Sequence, residues 1–269
     1  MFSLFSALCS SRLSDVISAH LCPVPAQMAV VLYHIPFSQP SNACRLFIFA
    51  NGLEDRIEMK IADLSSPDYV KINPMKQVPA LVDGDDVILE SAAIMEYIAA
   101  KFEVPAHWVG TDYKHRARIS SYLHWHHTHL RKGNAFFKTY FKHDDEDKSV
   151  DKELQIIEDS LKIIETHFLG SHPFIGGEAI SIADLQVVSE LQQASFGRLL
   201  HDLFDFPKVA TLMQAVRSTP GWDTVFHELK EFNESLPPVK SQQVTIRGNR
   251  EVLKNLRKAR PKRQVKNKN

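Results

Sequence analysis

The sequence predicts a small α/β domain followed by an all-α helical-bundle domain. Three observations point there. Apolar strands and helices alternate through about the first third of the chain as βαβ and then ββα, with Asp83-Gly84-Asp85 between two short apolar runs as a strong hairpin signal. Beyond Asp112 no strand pattern recurs, and apolar residues fall at three-four spacing. Between the two parts, Pro105 to Asp112 has the composition of a linker.

In order, Val30–His34 is an apolar strand that breaks at Pro36, and Ser38 follows with Pro40 in the first turn of a helix over 40–51. A helix N-terminus carries unpaired N–H groups and partial positive charge, so an anion is favoured beside the Ser38 hydroxyl. The alternation Ile-Glu-Met-Lys-Ile makes 56–61 a strand, and 64–76 a turn-rich connection. Strands over 78–82 and 86–89 precede a helix over 91–102. In the second part, helices are expected over 114–131, 151–168 and 207–218, and after the capping pair Ser181 and Asp184. Helix 207–218 stops at Pro220-Gly221. The organisation is therefore 1–27 leader or upstream extension, 28–103 first domain, 104–112 linker, 113–236 helical domain and 237–269 basic tail.

Of the 269 residues, 44% are hydrophobic and 24% charged, ordinary values for a globular chain. No apolar run reaches the ~18 residues of a membrane span. The formal charge of zero conceals an asymmetry: eleven Lys/Arg stand against one acid in 240–269, leaving 21 basic and 31 acidic residues before it. Nucleic acid contact is expected only through that tail, whose basic run also suits nuclear import; the plain alternative is a solvating tail. Residues 1–27 hold six serines, one arginine and one acid, the composition of either an upstream extension or an organellar transit peptide. Three cysteines without paired spacing give no disulfide framework and fit a reducing compartment; Cys44 is expected as a buried helical residue. His124, His126, His127 and His129 share one helix, but no nearby Cys or carboxylate completes a ligand set, and no metal is expected. Phe136, Phe137, Tyr140 and Phe141 suit an apolar pocket and core packing equally well.

Ser38-Gln39-Pro40-Ser41, Asn73-Pro74, Gln77-Val78-Pro79-Ala80-Leu81 and Leu89-Glu90-Ser91 together resemble the glutathione transferases, and the theta class of plant type in particular. His115-Arg116-Ala117-Arg118-Ile119, the run Trp125 to Arg131, and Phe174-Ile175-Gly176-Gly177 leading into Ile180 to Leu185 extend the resemblance over about residues 29 to 236. It implies a thioredoxin-like first domain, glutathione as co-substrate with no further cofactor, small hydrophobic electrophiles, a homodimer and a cytoplasmic location; the basic tail adds the nucleus, and residues 1–27 an organelle, as further destinations. It implies that Ser38 stabilises the glutathione thiolate by a hydrogen bond. Gln77, Val78 (through a cis bond to Pro79), Pro79, Glu90 and Ser91 would bind glutathione, and Phe136, Phe137 and Tyr140 would line the electrophile pocket. Gln77 replaces the lysine usual in the class and the connection from Asp63 to Asn73 is shorter, so weaker glutathione binding is expected; Ser120 also stands where many members have Asp. The tyrosine used by other transferase classes falls in register on His34, leaving Tyr33 facing the other way. Conjugation of glutathione, with reduction of organic hydroperoxides as a second activity, is the reaction implied. A non-catalytic binding module that uses the basic tail is the alternative.

Overall fold

The computed structural model describes residues 30–133, 150–196 and 205–235. Four strands, β1 (Val30–His34), β2 (Ile57–Ile61), β3 (Ala80–Asp83) and β4 (Asp86–Leu89), form one mixed sheet in the order β2-β1-β3-β4. β1 runs parallel to β2 and antiparallel to β3, and β3–β4 is the expected hairpin, with Asp83 opposite Asp86 and Gly84 at φ 63°. The parallel pair needs a crossover, which α1 (Gln39–Ala50) supplies.

Side-chain alternation along β1 divides the faces of the sheet. Leu32, fully buried, joins α1 and α3 (Ser91–Lys101) in the main core through Phe47, Ile94 and Ile98. Tyr33 points to the other face, where its ring lies 5.6 Å from that of Tyr69 on α2 (Pro67–Ile72). The stretch expected as turns therefore contains a helix. Ser66 caps it by accepting from Asp68 N at 3.3 Å, and Pro67 occupies the first turn, where no N–H is needed. β3 also begins later than expected, at Ala80, because Val78 and Pro79 belong to the preceding loop.

The segment expected as a linker holds a 3-10 turn, Ala106–Trp108, and the buried Trp108 ring meets Phe47 edge-on at 5.3 Å. One hydrophobic core consequently runs from Leu32 and Phe47 through Trp108 to Leu185 and Val188 of the helical part.

That part comprises α4 (Tyr113–Thr128), a 3-10 turn (Leu130–Gly133), α5 (Val150–Ile163), α6 (Ile182–Phe196), α7 (Pro207–Arg217) and α8 (Trp222–Ser235). Asp112 caps α4 by accepting from Lys114 N and His115 N. α5 continues as a π-helical turn, Ile164–Leu169, on which Glu165 accepts from Lys208 N at 3.1 Å and Val209 N at 3.0 Å; these carboxylate contacts satisfy the first turn of α7, whose own N-cap residue, Phe206, makes no side-chain cap. α8 is an addition to the sequence expectation. It follows Gly221 (φ 82°), where a Cβ would come within 2.2 Å of the Cβ of Phe49, so only glycine permits this approach to α1. Arg45 of α1 then donates to the Val225 carbonyl at 3.2 Å.

The Ser181–Asp184 pair is half the capping box expected. The Asp184 carboxylate accepts from Ser181 N (2.8 Å), from the Ser181 hydroxyl (2.7 Å) and from Ile175 N (2.8 Å), so the serine hydroxyl serves the acid and not the helix. Burial raises the Asp184 carboxyl to about 6, against the pull of the Ile175 and Ser181 donors. The folded state thus keeps a proton that the unfolded chain releases at its ordinary value of 3.8, and stability from this group falls as pH rises from about 4 to about 6. Asp184→Ala is expected to cost about 2–4 kcal/mol in urea unfolding at pH 7. For Asp184→Asn the difference from wild type should change between pH 4 and 6 and be flat above.

Candidate active site

A cleft of about 350 Å³ opens where β4, α3 and the loop before β3 meet α1, α4 and α6. Gln77, Val78, Pro79, Glu90 and Ser91, the residues the resemblance assigns to glutathione, all line it. Their positions have separate local causes. Asn73, 1% exposed, donates through Nδ2 to the Gln77 carbonyl at 2.9 Å and accepts from Met75 N at 3.0 Å, while the Tyr69 hydroxyl donates to the same carbonyl at 2.5 Å. Held this way, the loop enters Val78–Pro79, whose peptide bond is cis. Glu90 is the N-cap of α3 with φ 67°, a left-handed backbone that costs a non-glycine residue about 1–3 kcal/mol and concentrates at functional sites. Ser91 follows in the first turn, its hydroxyl accepting from Gln186 Nε2 at 2.5 Å.

Ser38 sits at the N-cap of α1 with extended backbone (φ −90°, ψ 114°), and its Oγ accepts from Ser41 N at 3.5 Å. It is 7% exposed and precedes Gln39 and Pro40, which line the cleft; Ser38 itself is not among the lining residues. His34, the residue in the tyrosine register, is buried with its Nδ1 unpaired, and burial, followed by the charge of Arg45, lowers it to about 4, so it is neutral at pH 7. Tyr33 packs on Tyr69 and is not among the walls. Cys44 is fully buried, its thiol pushed well up by desolvation, and Sγ donates to the Ser91 carbonyl at 3.5 Å. Phe136, Phe137 and Tyr140 lie outside the described residues.

The structure adds a set of residues that sequence reasoning did not single out. Gln39 Nε2 donates to the Gln186 side chain at 2.8 Å and to its carbonyl at 3.0 Å, and Gln39 Oε1 accepts from Arg131 Nη1 at 2.5 Å. Arg131 Nη1 also reaches Glu190 Oε2 at 3.1 Å, and His126 Nε2 lies 3.3 Å from that same oxygen. Burial opposes ionisation of Glu190, but Arg131 and His126 outweigh it and hold the carboxyl below its ordinary range. Gln39 and Arg131 do fall inside the resembling motifs, whereas Gln186 stands in a helix whose apolar pattern hides it. The histidines of α4 and of its C-cap separate accordingly. His126 faces Glu190 and the Tyr122 hydroxyl (3.2 Å), His127 lies 4.0 Å from Glu90 at the cleft, and His129 stacks on Trp125 with ring centres 4.9 Å apart.

Chemically, the cleft offers a strand edge at a cis-proline, a helix N-terminus with an adjacent carboxylate, and a second helix N-terminus carrying a hydroxyl. These fit a peptide backbone, an amino-acid head group and an anion respectively. Comparison with known proteins agrees. Residues 28–100 match the family model "Glutathione S-transferase, N-terminal domain" and residues 130–223 match "Glutathione S-transferase, C-terminal domain". The chain is 32% identical to human glutathione S-transferase theta-1 over 233 residues, 80% of this chain and 96% of that one. It is 36% identical to Arabidopsis thaliana glutathione S-transferase T1 over 178 residues, 62% and 73% of the two chains. Human glutathione-S-transferase T1-1 in its apo form superposes with a TM-score of 0.68 at 29% identity, over 84% of this chain and 96% of that one. A human theta-class transferase in complex with the glutathione conjugate of 1-menaphthyl sulfate gives the same score at 25% identity, over 87% and 100%. Taken with the sheet order and the cleft, these matches make the chain a member of the theta-class glutathione S-transferases.

Proposed function

We propose that the chain conjugates the thiolate of glutathione to small hydrophobic electrophiles, with Ser38 as the hydrogen-bond donor to the sulfur. The observation that carries the reading is the cleft itself: cis Val78–Pro79, Glu90 and Ser91 line it together with Gln39 and Pro40, the first residues of α1, whose N-cap is Ser38. A thiol of the cysteine kind titrates at about 8.5, so most of it is protonated at pH 7. A serine hydroxyl is too weak an acid to be an anion there, but it can donate to one. A charged hydrogen bond of about 1.5–3 kcal/mol lowers a thiol pKa by about one to two units. The α1 N-terminus acts in the same direction. The thiolate then attacks the electrophilic carbon, the new C–S bond forming as the leaving group departs with its electron pair.

The main-chain groups of Val78 support the peptide as an added strand, the Glu90 carboxylate suits the γ-glutamyl ammonium, and the first turn of α3 at Ser91 suits its carboxylate. Hydroperoxide reduction is included in the proposal as a second outcome of the same thiolate. A homodimer and a cytoplasmic site of action are proposed with it on the strength of the family; light scattering of the purified chain tests the first.

Glutathione conjugation with small alkyl halides is the direct assay. Ser38→Ala is expected to lower kcat/KM on the order of 10- to 100-fold. The same change should cost less than about 1 kcal/mol of stability, since the cap bond it removes is long. Wild-type protein with neither turnover nor glutathione affinity would sink the transferase reading and favour a non-catalytic module. Asn73→Ala should raise the KM for glutathione, with kcat nearly unchanged, because the Gln77 carbonyl and the loop before Pro79 lose an anchor. Steady-state kinetics at fixed electrophile checks this.

A further inference from the structure

We propose that this cleft accepts γ-glutamyl peptide thiols with an uncharged C-terminal end, a carboxamide or an ester, as well as it accepts glutathione itself. The inference rests on the glutathione reading of the same cleft and concerns the end of the peptide far from Glu90.

The orientation follows from the walls. Glu90 and the first turn of α3 supply an acceptor for an ammonium and donors for a carboxylate, which places the zwitterionic γ-glutamyl head there. A peptide laid along Val78 then ends beside the loop formed by Asn73, Met75 and Gln77. That end holds no cation among the described wall residues. The Asn73 amide is spent on the Gln77 carbonyl and Met75 N, and Met75 is apolar and half exposed. Lys71 is paired with Asp68 at 2.7 Å on α2, and Lys76, exposed and with its backbone at φ 54°, is not among the walls.

The permanent cation of the described walls, Arg131, is engaged by the buried Glu190 and by Gln39. Burial, and then the neighbouring His126, lower His127 and disfavour its charged form. A terminal carboxylate therefore gains no ion pair from the described walls. The Gln77 side chain carries both a donor and an acceptor, so it can pair with a carboxamide through two bonds and with a carboxylate through its donor only. Where a charged hydrogen bond does grip a carboxylate, its loss is worth about 10- to 150-fold in affinity.

The test is calorimetric titration of the full chain with S-methylglutathione and with its C-terminal amide, unreactive probes whose binding needs no turnover. The expected dissociation constants agree within about threefold. Gln77→Lys should shift the preference toward the free acid by about tenfold or more, and Lys76→Met should leave both affinities unchanged. A wild-type preference of about tenfold or more for the acid overturns the inference, as does weaker acid binding in Lys76→Met or failure of either probe to bind. Conjugation with glutathione, measured separately, reports on the transferase reading alone: equal affinities without turnover would sink that reading and leave the specificity standing.

Discussion

The structure depends on a run of buried polar side chains that crosses from the sheet domain to the helices: Ser91, Gln186, Gln39, Arg131 and Glu190. Ser91, Gln39, Gln186 and Glu190 are each at most 3% exposed, so each would be costly to bury alone. Paired with one another, they satisfy the burial requirement only in a single relative placement of α1, α3 and α6. The first turns of α1 and α3, which form two sides of the cleft, are thereby fixed to the helical part. Apolar packing cannot supply this, because it tolerates sliding; directional hydrogen bonds do not. The single core that runs past Trp108 contributes most of the cohesion, and the polar run sets the register.

Much of this could be read from the amino acids, because the strong signals were local. An apolar run marked β1, period-two alternation marked β2, Asp83-Gly84-Asp85 marked the hairpin, and the motifs Ser38 to Ser41, Gln77 to Leu81 and Leu89 to Ser91 contain most of the residues that line the cleft. The misses have physical reasons. Pro67 looked like a turn residue, yet with Ser66 before it the same proline starts a helix. α8 was invisible because Pro220-Gly221 suggests a stop, while Gly221 serves a close approach to Phe49. The Ser181 hydroxyl was expected to cap a backbone N–H, but the buried Asp184 carboxylate is the stronger acceptor and takes it. Gln186 and Glu190 come to the site only through packing of helices distant in sequence, which no local pattern encodes.

The electrostatics of the cleft follow from the same network. Glu190 neutralises Arg131, burial neutralises His34 and lowers His127, and Cys44 is held protonated. An anion bound near Ser38 then depends on a hydroxyl and a helix terminus for its stabilisation, dipoles fixed by the fold that need no rearrangement when the charge forms.

The most direct measurement of that claim is the ionisation of glutathione bound to the full chain, followed by the ultraviolet absorbance of its thiolate as pH is varied. The account predicts a bound thiol that titrates about one to two units below its free value of about 8.5. A bound thiol that titrates at about 8.5 would contradict it.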